Sequence, residues 1–98
     1  MGPSGSVRLS PLAEQDLANI WIYSATQWSP GQADTYVGEL ISTFSALAAS
    51  EFTGTPTPVR QTYLRFLVAS HAIYYRARPD GIDVIRILHQ SMDVARHL

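Results

Sequence analysis

The chain has 98 residues, 46% of them hydrophobic and 15% charged, with a formal net charge of −1. That is one domain's worth of core and no more, since a chain of this length buries only about 60 to 65% of its unfolded surface. No apolar run approaches the roughly 18 residues of a membrane span, and the absence of cysteine excludes disulfides, thiolate nucleophiles and thiolate metal sites, which fits a cytoplasmic protein. Residues 1–6, MGPSGS, lack the charged and apolar regions of a secretory signal and read as a cloning remnant or flexible tail. The single domain is expected over residues 7–98.

A short strand is expected at residues 7–9. Ser10 and Pro11 then open a helix, because serine can accept from free helix amides and proline fits the first helical position. Ala13, Leu17, Ile20, Trp21, Ser24 and Trp28 recur at helical spacing and place that helix at about 11–27, with both indoles expected in the core. Ser29 and Pro30 repeat the start signal. A second helix follows, its apolar stripe of Ala33, Tyr36, Val37, Leu40, Ile41, Phe44, Leu47 and Ala48 ending near residue 49, and so tight a connection predicts an antiparallel pair.

Residues 50–62 hold Gly54, Pro56 and Pro58 and read as a loop. Beyond them the period becomes two. Leu64, Phe66 and Val68 alternate with Tyr63, Arg65 and Leu67, and Ile73, Tyr75 and Ala77 alternate with Tyr74, Arg76 and Arg78. Arg78, Pro79, Asp80 and Gly81 form a turn signal, and a last strand is expected at 82–88. The fold class is α+β: an N-terminal helical hairpin packed on an antiparallel sheet of three to four strands.

Charge is divided unevenly. Residues 1–58 hold one arginine against five acids, and residues 59–98 hold six arginines against three acids; there is no lysine. If Leu64, Phe66, Ile73, Tyr75, Ile85 and Ile87 face the helices, alternation sends Arg65, Arg76 and Arg86 together to the opposite face. Such a surface suits a carboxylate-rich or phosphate-bearing partner. The plainer alternative is a solvated face with arginines paired to Asp80 or Asp83. Of Tyr74 and Tyr75, one is expected in the core and the other at the surface. His71, His89 and His97 have no metal-ligand spacing and read as structural or solvent-facing. No metal or cofactor is implied, and no phosphate-cradling loop, nucleophile elbow or carboxylate pair is present.

The stretches DLANIWIYSATQW and HAIYYRARPDGIDVIRILHQSMDVARHL, with Ala33, Tyr36 and Leu40 between them, resemble the ParE branch of the RelE/ParE toxin superfamily over residues 7–98. Most specific are Ile85, Arg86, Ile87, Leu88 and His89 followed by Met92 and Asp93. The resemblance implies a toxin of a type II toxin-antitoxin system that inhibits DNA gyrase, with the A subunit as the expected contact, and is neutralised in a hetero-oligomer by a ParD-like antitoxin. It implies binding rather than catalysis, with nucleic acid met only through gyrase. Arg65, Arg76, Arg86, His89, Met92, Asp93 and Arg96 are the expected partner-binding residues, although Asp93 and Arg96 also suit a staple within a short terminal helix. The RelE branch, ribosome-dependent messenger RNA endoribonucleases, is the alternative. Absence of lysine and of any tyrosine after Tyr75 departs from its pattern, leaving Arg65, Arg86 and His97 as a reduced ribonuclease set. A non-toxic antitoxin-binding module is a third reading.

Overall fold

Both helices begin where Ser-Pro pairs interrupt the backbone. In the computed structural model, which describes residues 5–58, 60 and 62–98, strand β1 (Ser6–Leu9) leads into helix α1 (Pro11–Gln27), and helix α2 (Pro30–Ala48) follows after two residues. Ser10 Oγ accepts from the Ala13 N–H at 3.0 Å, and Ser29 Oγ accepts from the Gln32 N–H at 3.1 Å, so each serine satisfies an amide that the first helical turn leaves free. Of the tail expected at residues 1–6, residues 1–4 lie outside the described residues, and Ser6 belongs to β1.

The sheet comprises β1, β2 (Thr55–Pro56), β3 (Leu64–Val68), β4 (His71–Arg78) and β5 (Gly81–His89), in the order β1-β5-β4-β3-β2. The α+β expectation holds, with two corrections to the sheet. It has five strands, because two residues of the expected 50–62 loop pair with β3. It is also mixed, because β1 runs parallel to β5. Gly81 makes that closure possible: a Cβ there would lie 1.9 Å from the Ser6 carbonyl oxygen, so only glycine lets β1 approach the start of β5.

The helical hairpin covers one sheet face. Ala13, Ile20, Leu40, Phe44 and Leu47 from the helices bury against Ile73, Tyr75, Ile82, Val84 and Ile87 from the strands. Here the expected parity fails at one point. Tyr74 pairs with Arg86 while Tyr75 pairs with Val84, leaving Ile85 as an extra residue on β5. This bulge shifts the alternation by one: Val84 and Ile82 face the helices and are buried, whereas Ile85 is only half-buried and lies outside the core. Strict alternation would have put Asp83 on the helical side. The bulge turns it outward, opposite Arg76 and Arg8.

The other sheet face is not open throughout. A short terminal helix α3 (Val94–His97) returns across it, and Val94 and Leu98 pack on Ala72, Tyr74 and Leu88. Both Tyr74 and Tyr75 are therefore 2% exposed, each beneath a different cover, which corrects the expectation that one would be at the surface. Asp93 caps α3 by accepting from the Ala95 N–H at 3.2 Å. Arg60 donates to the Leu98 carbonyl oxygen at 2.7 Å.

Candidate functional site

A groove of about 710 Å³ lies between α1, Tyr36 of α2, the β3–β4 turn and the end of β5. Its wall on the helical side carries Asn19, Ile20, Tyr23 and Trp28, and its sheet side carries His71, Ile87, His89 and Met92. Trp28 was expected in the core; it is instead 65% exposed. As the residue that closes α1, with its N–H donating to the Ser24 carbonyl at 2.9 Å, it sits where the chain turns away from the sheet, and its indole stands on the groove rim. Trp21 lies half-buried on the hairpin and donates from Nε1 to Asp34 at 2.8 Å. Tyr23 and Met92 are also exposed, so large apolar groups line a groove that none of the described residues fills.

Three rings meet along its floor. His71 and His89 are cross-strand neighbours whose ring centroids lie 5.3 Å apart, edge to face. Tyr36 meets His71 from the other side at 5.5 Å, with its hydroxyl 2.7 Å from His71 Nδ1 and 3.2 Å from the Val68 carbonyl oxygen. One proton arrangement satisfies all of them: His71 Nδ1–H donates to Tyr36, and Tyr36 donates to Val68. Because the Ser91 N–H donates to His89 Nδ1 at 3.1 Å, the neutral His89 ring carries its proton on Nε2. Burial, aided by the neighbouring His89, pushes the His71 pKa down, with Asp16 acting in the opposite direction. Burial pushes the Tyr36 phenol up.

Asp16 anchors one end of this groove. Its Oδ2 accepts from Arg86 Nε at 2.8 Å and its Oδ1 accepts from Arg86 Nη2 at 2.9 Å. Oδ2 also accepts from the Ile87 N–H at 3.0 Å. The location explains the need. Strand β1 pairs with β5 only as far as Val84, so the β5 edge beyond it would be unpaired. Ser10 Oγ donates to the Ile85 carbonyl at 2.7 Å and Asp16 takes the Ile87 amide, so two residues of the β1–α1 segment complete what β1 leaves unfinished. Asp16 raises the Arg86 pKa through the paired hydrogen bonds.

The arginines expected to act as one surface are thus divided. Cross-strand register does place Arg65, Tyr74 and Arg86 in one row, with Arg76 in the next. The guanidinium of Arg86, however, is held in a bidentate pair with Asp16, and its Nη1 lies 3.3 Å from the His97 carbonyl. It is a positioning residue rather than a free anion hook, and the reduced ribonuclease set of Arg65, Arg86 and His97 loses its central cation to Asp16. Arg76 donates to Asp83 at 3.0 Å, and Arg8 and Arg78 join it on the same carboxylate at 2.9 and 2.8 Å. Together they hold Asp83 down at about 2, with Arg8 contributing most and desolvation opposing. Arg65 has its Nε buried without a hydrogen-bond partner. Asp93 and Arg96 lie 3.7 Å apart within α3, the staple that their spacing allowed.

Of the residues expected to bind a partner, only His89 and Met92 line the groove. Tyr36, His71 and Trp28, which share it, were not among them. A tyrosine and a histidine on a predicted core stripe and a strand start carry no signal of their own until the β3–β4 turn brings them together. Among the described residues no group of three or more potential metal ligands is present.

Comparison with known proteins agrees with this architecture. The family model described as ParE toxin of type II toxin-antitoxin system, parDE, matches residues 7–94. Toxin ParE1 of Caulobacter vibrioides is 39% identical over 92 residues, covering 93% of this chain and 95% of that protein. Toxin ParE1 of Mycobacterium tuberculosis is 38% identical over 92 residues, covering 92% and 94%. A chain of the chromosomal ParDE TA system from P. aeruginosa superposes with a TM-score of 0.75 at 18% identity, over 88% of this chain and 96% of that one, a likeness of fold.

Proposed function

This chain belongs to the ParE toxin family of type II toxin-antitoxin systems, and on that premise we propose that it acts by inhibiting DNA gyrase and is silenced by a ParD-like antitoxin. The match of residues 7–94 to the family, nearly the whole chain, is the observation that carries this reading. The groove supplies a place for the antitoxin. An amphipathic segment laid in it would set apolar anchors against Ile20, Tyr23, Trp28 and Met92. Polar groups for its backbone are at hand in His71, His89 and Ser91.

Inhibition by binding also suits the chemistry of the groove. Among the described residues no arginine lines the groove beside its histidines, whereas phosphodiester cleavage needs a cation on the developing charge as well as an acid and a base. His89 and Met92 are assigned to the antitoxin seat, Arg86 to the integrity of that seat through Asp16, and Arg65, Arg76 and Arg96 to the outer sheet face that meets the complex of gyrase with its DNA. Asp93 caps and staples α3, which covers that face in part. A gyrase-directed protein works in the cytoplasm, and no described helix is long and apolar enough to cross a membrane.

The experiment is a gyrase supercoiling reaction run beside a translation reaction containing messenger RNA. Blocked supercoiling with intact RNA, relieved by a ParD-like antitoxin, is the expected result. Cleaved RNA with normal supercoiling would move the protein to the RelE reading.

A further inference from the structure

The strand side of the molecule is basic and the helical side acidic, more sharply than the sequence halves suggest. All seven arginines sit on the strands, the connecting loop or the terminal segment, whereas Glu14, Asp34, Glu39 and Glu51 lie on the hairpin or just after it with no basic residue among them. On the outer sheet face the arginines are ordered. Arg8, Asp83 and Arg76 form one cross-strand row over β1, β5 and β4, and Arg65 on β3 lies diagonal to Arg76.

Three guanidiniums share one carboxylate there. Arg78 spends its donors on Asp83, Asp80, Ser6 and Ile82 and is largely buried. Arg8 and Arg76 each spend one nitrogen on Asp83 and remain 67% and 52% exposed along their side chains. Their remaining donors face solvent on side chains already fixed by Asp83, so little rotamer freedom is left to lose on binding. Among the described residues no carboxylate pairs with Arg65.

We infer that this outer face, through Arg8, Arg76 and Arg65, binds the phosphate backbone of duplex DNA. Two features select that partner. A protein partner would want several large apolar anchors, but among the described residues the outer face offers a single exposed one, Leu67 on β3, while Trp28, Ile41, Phe52 and Met92 lie on the helices, loops or terminal segment and none is on β1, β4 or β5. A single strand would want an aromatic platform for unstacked bases, but Tyr74, the aromatic side chain of β4 on this face, is covered by Val94 and Leu98. What remains is a pair of guanidiniums fixed by Asp83 with Arg65 diagonal to them, an array suited to spaced phosphates. This inference does not depend on gyrase being the target.

The test is fluorescence anisotropy of a labelled 20-base-pair duplex with the purified protein between 50 and 200 mM salt. Three phosphate contacts predict a roughly 40-fold loss of affinity across that range, falling to roughly 3- to 4-fold in the R8Q/R76Q double variant, since each contact contributes about 0.9 to the logarithmic salt slope. A W28A variant should bind DNA as the parent does. Asp83 keeps Arg78 in the double variant, and its circular dichroism and melting temperature identify any loss of fold; Arg65→Gln, which breaks no ion pair, then serves as the second variant and should remove one contact's worth of slope. Absence of binding at 50 mM salt, an unchanged slope in both sets of variants, tighter binding to single-stranded RNA, or equal binding to poly-glutamate would each overturn the inference. Supercoiling inhibition is measured separately, so failure here and failure of the gyrase reading are told apart.

Discussion

Replacing Asp16 with alanine removes both acceptors of the Arg86 fork and the acceptor of the Ile87 N–H in a single step. Deleting one partner of a buried ion pair costs about 3–5 kcal/mol because the other charge is stranded. The two side chains here retain 13% and 15% exposure, so Arg86 can regain some water, and the lower end, about 3 kcal/mol including the Ile87 amide, is expected. For a domain of this size that lowers the melting temperature by about 12–24 °C. Asp16→Asn, which keeps an acceptor for the amide but loses the charge, should cost about half as much. Arg86→Met keeps the stem and relieves the stranded charge, so the D16A/R86M double variant should be less destabilised than the two single losses summed, by about 2 kcal/mol. Urea or thermal unfolding of the four proteins measures this. Additive losses, or an Asp16→Ala variant within 0.5 kcal/mol of the parent, would refute the assignment of Arg86 as a positioning residue.

Asp83 supplies a pH dependence of known sign. Its pKa falls from 3.8 to about 2 on folding, so its contribution is fully present above pH 4 and is lost as pH drops toward 2; after allowance for solvent reaching Arg8 and Arg76 it amounts to about 1–2 kcal/mol, and Asp83→Asn should flatten that part of the acid-unfolding profile. His71 is held below its ordinary value of 6.5: its C2 proton resonance should titrate below that pH, and the protein should lose stability as pH falls under 6.5, because the unfolded chain takes up the proton first. Trp28→Ala should weaken the ParD-like antitoxin at least tenfold, about 1.4 kcal/mol, by titration calorimetry, while shifting stability by less than about 0.5 kcal/mol, as expected for an exposed rim residue; unchanged affinity would show that the groove is not the seat.

Local signals carried much of the fold. The two Ser-Pro pairs act within one helical turn, and they fixed the starts at Pro11 and Pro30 to the residue. Strand alternation located β3 and β4 for the same reason. What sequence could not supply depends on distant partners. The Ile85 bulge arises where β5 leaves β1 and comes under Ser10 and Asp16, so no property of Ile85 announces it. The parallel pairing of β1 needed Gly81 to be seen as a point of close approach and not only as a turn residue. Tyr74 is buried by Val94 and Leu98, twenty or more residues away in sequence. Trp28 has the spacing of a core residue, but the helix ends beneath it. The site suffered accordingly: Arg86 belonged to the most specific stretch of the sequence, yet nothing local to Asp16 marks it as the partner of a residue 70 positions away.

The central claim, a toxin that works by occupying its target, is tested most directly by titrating this protein into a fixed amount of gyrase and following supercoiling. Inhibition that saturates near one protein per gyrase active complex and is reversed by equimolar ParD-like antitoxin is the predicted result. Full supercoiling activity at a large molar excess of the protein, or loss of activity at far below stoichiometric amounts through turnover, would contradict it.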